Sequence, residues 1–241
     1  ENAISLSVCL LKNSLLLTSH KTIPSNNAVI PIIYWIYKNN LKGEGKGKHC
    51  ISGDQISNIK KWLVKAFLSG IFGGQSDSIL YKCKEALDAS ALKDFPGSEI
   101  ESKINKETKK SMILNSDYLD DVSYNSGDSY LVLSICYDGA VNFVRISKGN
   151  LPEQDHIFSR DELKKAGIKE EKINSIYNIR YITQADNRGK KNTLYSVWFN
   201  DEKERIDEFK KHLIPDGKWC VENFDKFREE RKKLMAKKFM Y

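Results

Sequence analysis

From residue 4 to about residue 110, apolar side chains return every three or four positions, and this spacing restricts the N-terminal part of the chain to packed helices. The clearest stretch is Ser52 to Phe72, where Ile56, Ile59, Trp62, Leu63, Ala66 and Phe67 share one helical face and Gly73-Gly74 ends the pattern. Ile4 to Leu17 has the same spacing until Pro24 breaks it, and a second helix is expected from Asn27 through Ile32, Ile33, Ile36 and Tyr37. Asp77 to Ala91 gives another, and a short one around Ile100 to Ile104 follows the Pro96-Gly97 turn. Leu41 to Lys48, with three glycines at alternate positions, is expected to be an exposed loop. The reading is a helical domain over residues 1–110.

The pattern changes in residues 111–241. Asp128 to Tyr137 is a compact apolar segment that suits helix or strand by pattern alone, with helix preferred. Val141, Phe143 and Val144 are β-prone, and the loop Lys148 to Pro152 leads into Gln154-Asp-His-Ile-Phe158. Ile179 to Thr183 alternates as a strand, and Asp186 to Tyr195 can open a helix. Asn223 to Phe239 reads as a basic amphipathic helix with Phe224, Phe227, Leu234 and Phe239 inward. Its Arg228 to Lys238 cluster is a solvated face first and a DNA contact second. The fold class is α+β, mostly helical, in a length of 241 residues that accommodates two domains.

Composition then removes several classes. With 40% hydrophobic and 29% charged residues the chain is too apolar to stay disordered. Its longest apolar run, Ala28 to Tyr37, is ten residues long and contains Pro31, so no membrane span is expected. The net charge of +7 favours a polyanionic partner without requiring one. That excess is spread out: residues 1–150 carry 18 basic and 15 acidic side chains, residues 151–241 carry 21 and 17. Five scattered cysteines without a CxxC pair read as thiols of a reducing cytoplasm rather than a zinc or redox centre. The chain shows no secretory signal, and the absence of an initiator Met suggests that it is cut from something longer.

Four histidines are present, and His156 alone sits beside a carboxylate, in Asp155-His156-Ile157-Phe158. Downstream Asn178 closes the Tyr177-Asn-Ile-Arg-Tyr-Ile strand, and nine residues later Asn187 opens Asn187-Arg-Gly-Lys190. A strand ending in Asp-His, an antiparallel second strand and a helix folding back across the hairpin would bring these residues together as a ββα unit. Carboxylate and amide oxygens are hard ligands, and Mg²⁺ needs few of them because water and substrate phosphate complete its shell. An imidazole beside such an ion, with an ordinary pKa near 6.5, can take a proton from water at neutral pH. His212, before Leu213-Ile214-Pro215, reads as a helix-end cap, and His20 and His49 as surface residues.

At these residues the sequence resembles the HNH, or ββα-metal, nuclease superfamily, most closely the HNH domain of CRISPR RNA-guided effector nucleases. The resemblance implies that Asp155 and Asn187 hold one divalent ion, Mg²⁺ or Mn²⁺, that His156 is the general base, and that Asn178 holds the hairpin and orients the histidine. Lys190, with Arg188 and Lys191, would contact DNA phosphate. Two departures stand out: 21 residues separate His156 from Asn178, a longer connection than in those nucleases, and Ser159 stands where many relatives have Pro. More widely, the Ile-Pro-Ile-Ile-Tyr-Trp helix, Phe72-Gly-Gly-Gln-Ser-Asp-Ser78 and His212-Leu-Ile-Pro215 look like the C-terminal half of GmrSD-type restriction and phage-defence proteins. Those proteins join an NTP-using N-terminal domain, marked by Asp-Gly-Gln-Gln-Arg, to an HNH nuclease end, and this motif is absent from the chain.

The resemblance implies an HNH nuclease domain over residues 111–241 and metal-dependent hydrolysis of foreign DNA in a bacterial cytoplasm. The alternative is a non-catalytic DNA-binding or adaptor module that keeps the fold. An RNase using the same site is a third reading. No base-reading motif is found, so DNA binding is expected to be electrostatic, steeply salt-dependent and largely independent of sequence.

Overall fold

The computed structural model describes residues 2–15, 23–45, 48–74, 76–90, 94–112, 116–137, 153–182 and 210–239. They are mostly helical, with two small antiparallel strand pairs. The chain divides into two compact units, Glu1–Leu114 and Asn115–Tyr241. Among the described residues no helix is long and apolar enough to cross a membrane.

In the first unit α1 (Asn2–Cys9) runs on into a π-helical turn at Leu10–Ser14, and α2 (Ile30–Lys38) follows a 3-10 turn at Asn26–Val29. The stretch expected as a bare loop forms a small hairpin instead, with β1 (Gly43–Gly45) paired to β2 (Lys48–His49). The amphipathic helix α3 (Gly53–Leu68) starts where the Ser52 hydroxyl accepts the Gln55 N–H. It stops at Leu68, five residues before Gly73-Gly74, and Gly70 just beyond adopts a left-handed φ of 59°. Of its predicted face, Ile59, Trp62, Leu63, Ala66 and Phe67 are buried. Helices α4 (Ser76–Ala89) and α5 (Gly97–Glu107) complete the unit. A side chain at Gly97 would press a Cβ to 3.3 Å from Trp62, so glycine lets α5 approach α3 closely.

The second unit opens with α6 (Gly127–Cys136), capped by the Ser126 hydroxyl on the Ser129 N–H. This settles the segment left open between helix and strand, and its length explains the pattern: Leu131, Val132, Leu133, Ile135 and Cys136 are all buried, so no single face stands out. β3 (Glu153–His156) and β4 (Ile179–Ile182) form an antiparallel ribbon. The long connection between them holds two short helices, α7 (Arg160–Lys165) and α8 (Glu170–Ile173), and a 3-10 turn at Ile176–Asn178. Ser159 has a clear use here, since its hydroxyl accepts the Glu162 N–H and caps α7. The β-prone Val141, Phe143 and Val144 and the helix expected at Asp186 to Tyr195 lie outside the described residues.

The unit closes with α9 (Phe224–Phe239). Phe224 and Phe227 point inward as expected and meet Phe158 edge-on, at 5.2 and 5.0 Å between ring centroids. Leu234 is exposed, and the inward positions below Phe227 belong to Arg231 and Met235. The apolar cluster under the ribbon contains Ile157, Phe158, Leu163, Ile173, Ile214 and Trp219 with those two phenylalanines. The residues that directly follow Asp155-His156 are therefore anchored in the core.

Candidate active site

The ribbon register pairs Asp155 with Arg180 and His156 with Ile179. Successive strand residues face opposite sides, so Asp155 and His156 diverge and have different partners. Asp155 Oδ2 accepts a hydrogen bond from Arg180 Nε at 2.9 Å, and both side chains are nearly buried. On the other face, His156 Nε2 lies 3.0 Å from Asn174 Oδ1, and the imidazole rests against the Tyr124 ring at 4.5 Å between centroids. Gln154, on the His156 face, accepts the Asn125 N–H and ties the ribbon to the start of α6. A site that used both Asp155 and His156 would therefore sit at the end of the ribbon, where His156 is the last paired residue.

Asn178 is fully buried and works as a clamp. Its Oδ1 accepts the Phe158 N–H at 2.9 Å, and its Nδ2 donates to the Phe158 and Ile173 carbonyls at 3.2 and 3.0 Å. The Asn178 carbonyl also accepts the Ile157 N–H at 2.8 Å. One side chain thus joins the exit of β3, the end of α8 and the entrance to β4. Asn178→Ala leaves one donor and two acceptors without their partner, and should destabilise this unit by about 2–3 kcal/mol. Asn178→Asp removes the two donated bonds and should do comparable harm. A urea midpoint unmoved in both variants would show that the clamp carries no weight.

Asn187, Arg188, Lys190 and Lys191 lie outside the described residues. Among the described residues no three His, Cys, Asp or Glu side chains gather to hold a metal ion. Asp155 is the expected ligand that can be placed. A carboxylate is a hard oxygen ligand, and Mg²⁺ is often held through one or two of them. Asp155 therefore suits a hard divalent ion chemically, while the adjacent guanidinium opposes it electrostatically.

Four residues around the ribbon escaped the reading from sequence. Arg180 is one, and Asn174 is another. The third, Arg231, was placed on a solvated basic face, yet it is 1% exposed and donates to the carbonyls of Ile176, Tyr177, Ile179 and His212. Its signal was available: Phe224, Phe227, Arg231 and Met235 follow the three-and-four spacing of an inward stripe. The fourth is His212, which follows the helical residues Lys210 and Lys211 as expected of a helix end but turns its ring to a buried tyrosine. Its Nδ1 lies 2.7 Å from the Tyr137 hydroxyl, which also accepts the Tyr181 N–H at 3.2 Å. Burial pushes the Tyr137 hydroxyl up to about 12, so it stays protonated at neutral pH.

Arg228 and Lys232 of α9 are likewise engaged. Arg228 Nε donates to the Ser175 hydroxyl and its guanidinium lies over the Tyr177 ring, while Lys232 pairs with Asp120. No protein-family model matches the chain, and no curated protein matches it.

Proposed function

We propose that the chain is a metal-dependent DNA endonuclease that hydrolyses phosphodiester bonds at a single ββα-metal site, acting on foreign DNA in the cytoplasm of a bacterium. The observation that carries the reading is the Asn178 clamp. The resemblance gave Asn178 the task of holding the hairpin behind the Asp-His pair, and its side chain spans both ends of the 21-residue connection. In this reading His156 takes the proton of the attacking water, and Tyr124 and Asn174 hold its ring. Arg180 positions the Asp155 carboxylate. Asp155 and Asn187 would hold one Mg²⁺ or Mn²⁺ ion, which when bound supplies charge stabilisation at the phosphate and at the leaving 3′ oxygen. Arg188, Lys190 and Lys191 would contact DNA phosphates.

The second reading, a DNA-binding or adaptor module without catalysis, draws on the Arg180–Asp155 ion pair. A buried guanidinium beside Asp155 neutralises the carboxylate by itself, without a metal ion. One assay separates the two. With Mg²⁺ or Mn²⁺ the purified chain should turn supercoiled plasmid into open-circular form first, because one site cuts one strand, and EDTA should stop it. Plasmid that stays supercoiled in both metals, at low salt and high protein, favours the adaptor. RNA cut in preference to DNA would move the substrate class to the third reading.

A further inference from the structure

We propose that Asn174 is a positioning residue that fixes the His156 imidazole in one tautomer, with the hydrogen on Nε2 and the lone pair on Nδ1. Four residues upstream of Asn174 stands Glu170, held by two cations. Arg160 Nη2 donates to Glu170 Oε1 and Lys164 Nζ to Oε2, each at 3.0 Å. The hydrogen bond from Lys164, with the Arg160 guanidinium beside it, holds the Glu170 carboxyl below the usual carboxylate range, so it is ionised at neutral pH. An ionised carboxylate only accepts hydrogen bonds.

That constraint sets the direction of everything beyond it. The Asn174 amide meets Glu170 Oε1 at 3.0 Å, and the group it presents there has to be the donating NH₂. Its carbonyl oxygen therefore faces the other way, 3.0 Å from His156 Nε2. A carbonyl oxygen also only accepts, so Nε2 must donate, and a neutral imidazole carries one N–H. The assignment follows from the acceptor-only ends and does not depend on how the amide of Asn174 is drawn.

The relay is held in place by backbone as well. The Asn174 N–H donates to the Glu170 carbonyl at 2.9 Å, and the Asn174 carbonyl accepts the Tyr124 N–H at 2.7 Å. Tyr124 is the residue whose ring covers the imidazole, so one residue pair fixes both the edge and the face of the ring. This deepens the nuclease reading and rests on it: if His156 is the base, the nitrogen that accepts the proton is Nδ1, and Asn174 acts through the ring without touching substrate.

The test uses the intact chain with ¹⁵N-labelled histidine, at a pH where the His156 ring is neutral. Two-bond nitrogen–carbon-proton correlations should show a single Nε2–H tautomer, with an Nε2 hydrogen slow to exchange with water. Asn174→Ala should release the ring to the tautomer mixture of a free histidine and speed that exchange. Asn174→Asp, whose carboxylate also only accepts, should retain the Nε2–H form. In the plasmid assay Asn174→Ala should lower kcat by about 10–100-fold with KM little changed, the usual scale for a residue that orients another at a site. An Nδ1–H ring in the parent chain, or a tautomer pattern unchanged by Asn174→Ala, overturns the assignment. The magnetic resonance result decides this with or without cleavage, whereas plasmid left uncut by the parent chain counts against the nuclease reading alone.

Discussion

Arg231→Leu is expected to destabilise the second unit by about 3–5 kcal/mol, the scale of removing one side of a buried charged interaction. The guanidinium is almost entirely buried and gathers carbonyls from two places: Ile176, Tyr177 and Ile179, around the 3-10 turn and the first residue of β4, and His212 beyond the ribbon. Leucine fills much of the volume and satisfies none of them. Four carbonyls then lose a charged donor, and each buried acceptor left unmade costs about 1–3 kcal/mol before relaxation. Arg231→Lys should recover only part of the loss, because an ammonium is a compact charge that lacks the planar fork spreading donors over several acceptors. Amide hydrogen exchange gives the local readout. Protection at Ile179–Ile182 should fall in both variants, more in leucine, while peptides of the Glu1–Leu114 unit keep theirs. Equal protection across residues 176–182 in Arg231→Leu and the parent chain would remove Arg231 from the frame of the site.

The second large effect concerns activity. His156→Ala should lower plasmid cleavage by about two to four orders of magnitude, or roughly 3–5 kcal/mol of barrier, the range for a general base. DNA affinity should persist, because the expected phosphate contacts belong to other residues. The fold should persist as well. Ile157 and Phe158 anchor this segment in the core, and Asn178 grips the Phe158 backbone. Removing the imidazole costs the Asn174 bond and the Tyr124 contact, about 1 kcal/mol together by the usual net value of a hydrogen bond. Asp155→Ala should lose activity differently, through the metal, and also leaves Arg180 with its carboxylate partner gone, so a stability loss should accompany it. Excess Mn²⁺ restoring His156→Ala as well as it restores Asn187→Ala would exchange the roles of base and ligand.

The helices were legible because their signal is local. Apolar spacing marked α1 to α5 and α9, and alternation marked β4, whereas the α7 that Ser159 caps was not expected. Errors arose where a local signal competed with packing. Gly73-Gly74 looked like the end of α3, yet the turn at Gly70 comes first. Leu234 looked inward because it is apolar, while Arg231 was set outside because it is charged. The helix was oriented by its contacts with the rest of the unit, and those contacts include four carbonyls as well as Phe158.

By itself the sequence determined the longer amphipathic helices, that an Asp-His pair precedes an apolar Ile-Phe, and that a strand returns near Asn178. Each follows from residue type and spacing over a few positions. Tertiary structure decided which polar groups meet: Asp155 with Arg180, His156 with Asn174, Tyr137 with His212, and Arg231 with the backbone of β4. These pairs are separated by 18 to 75 residues. A buried donor must find an acceptor wherever the folded chain provides one, and no periodicity along the sequence records where that will be.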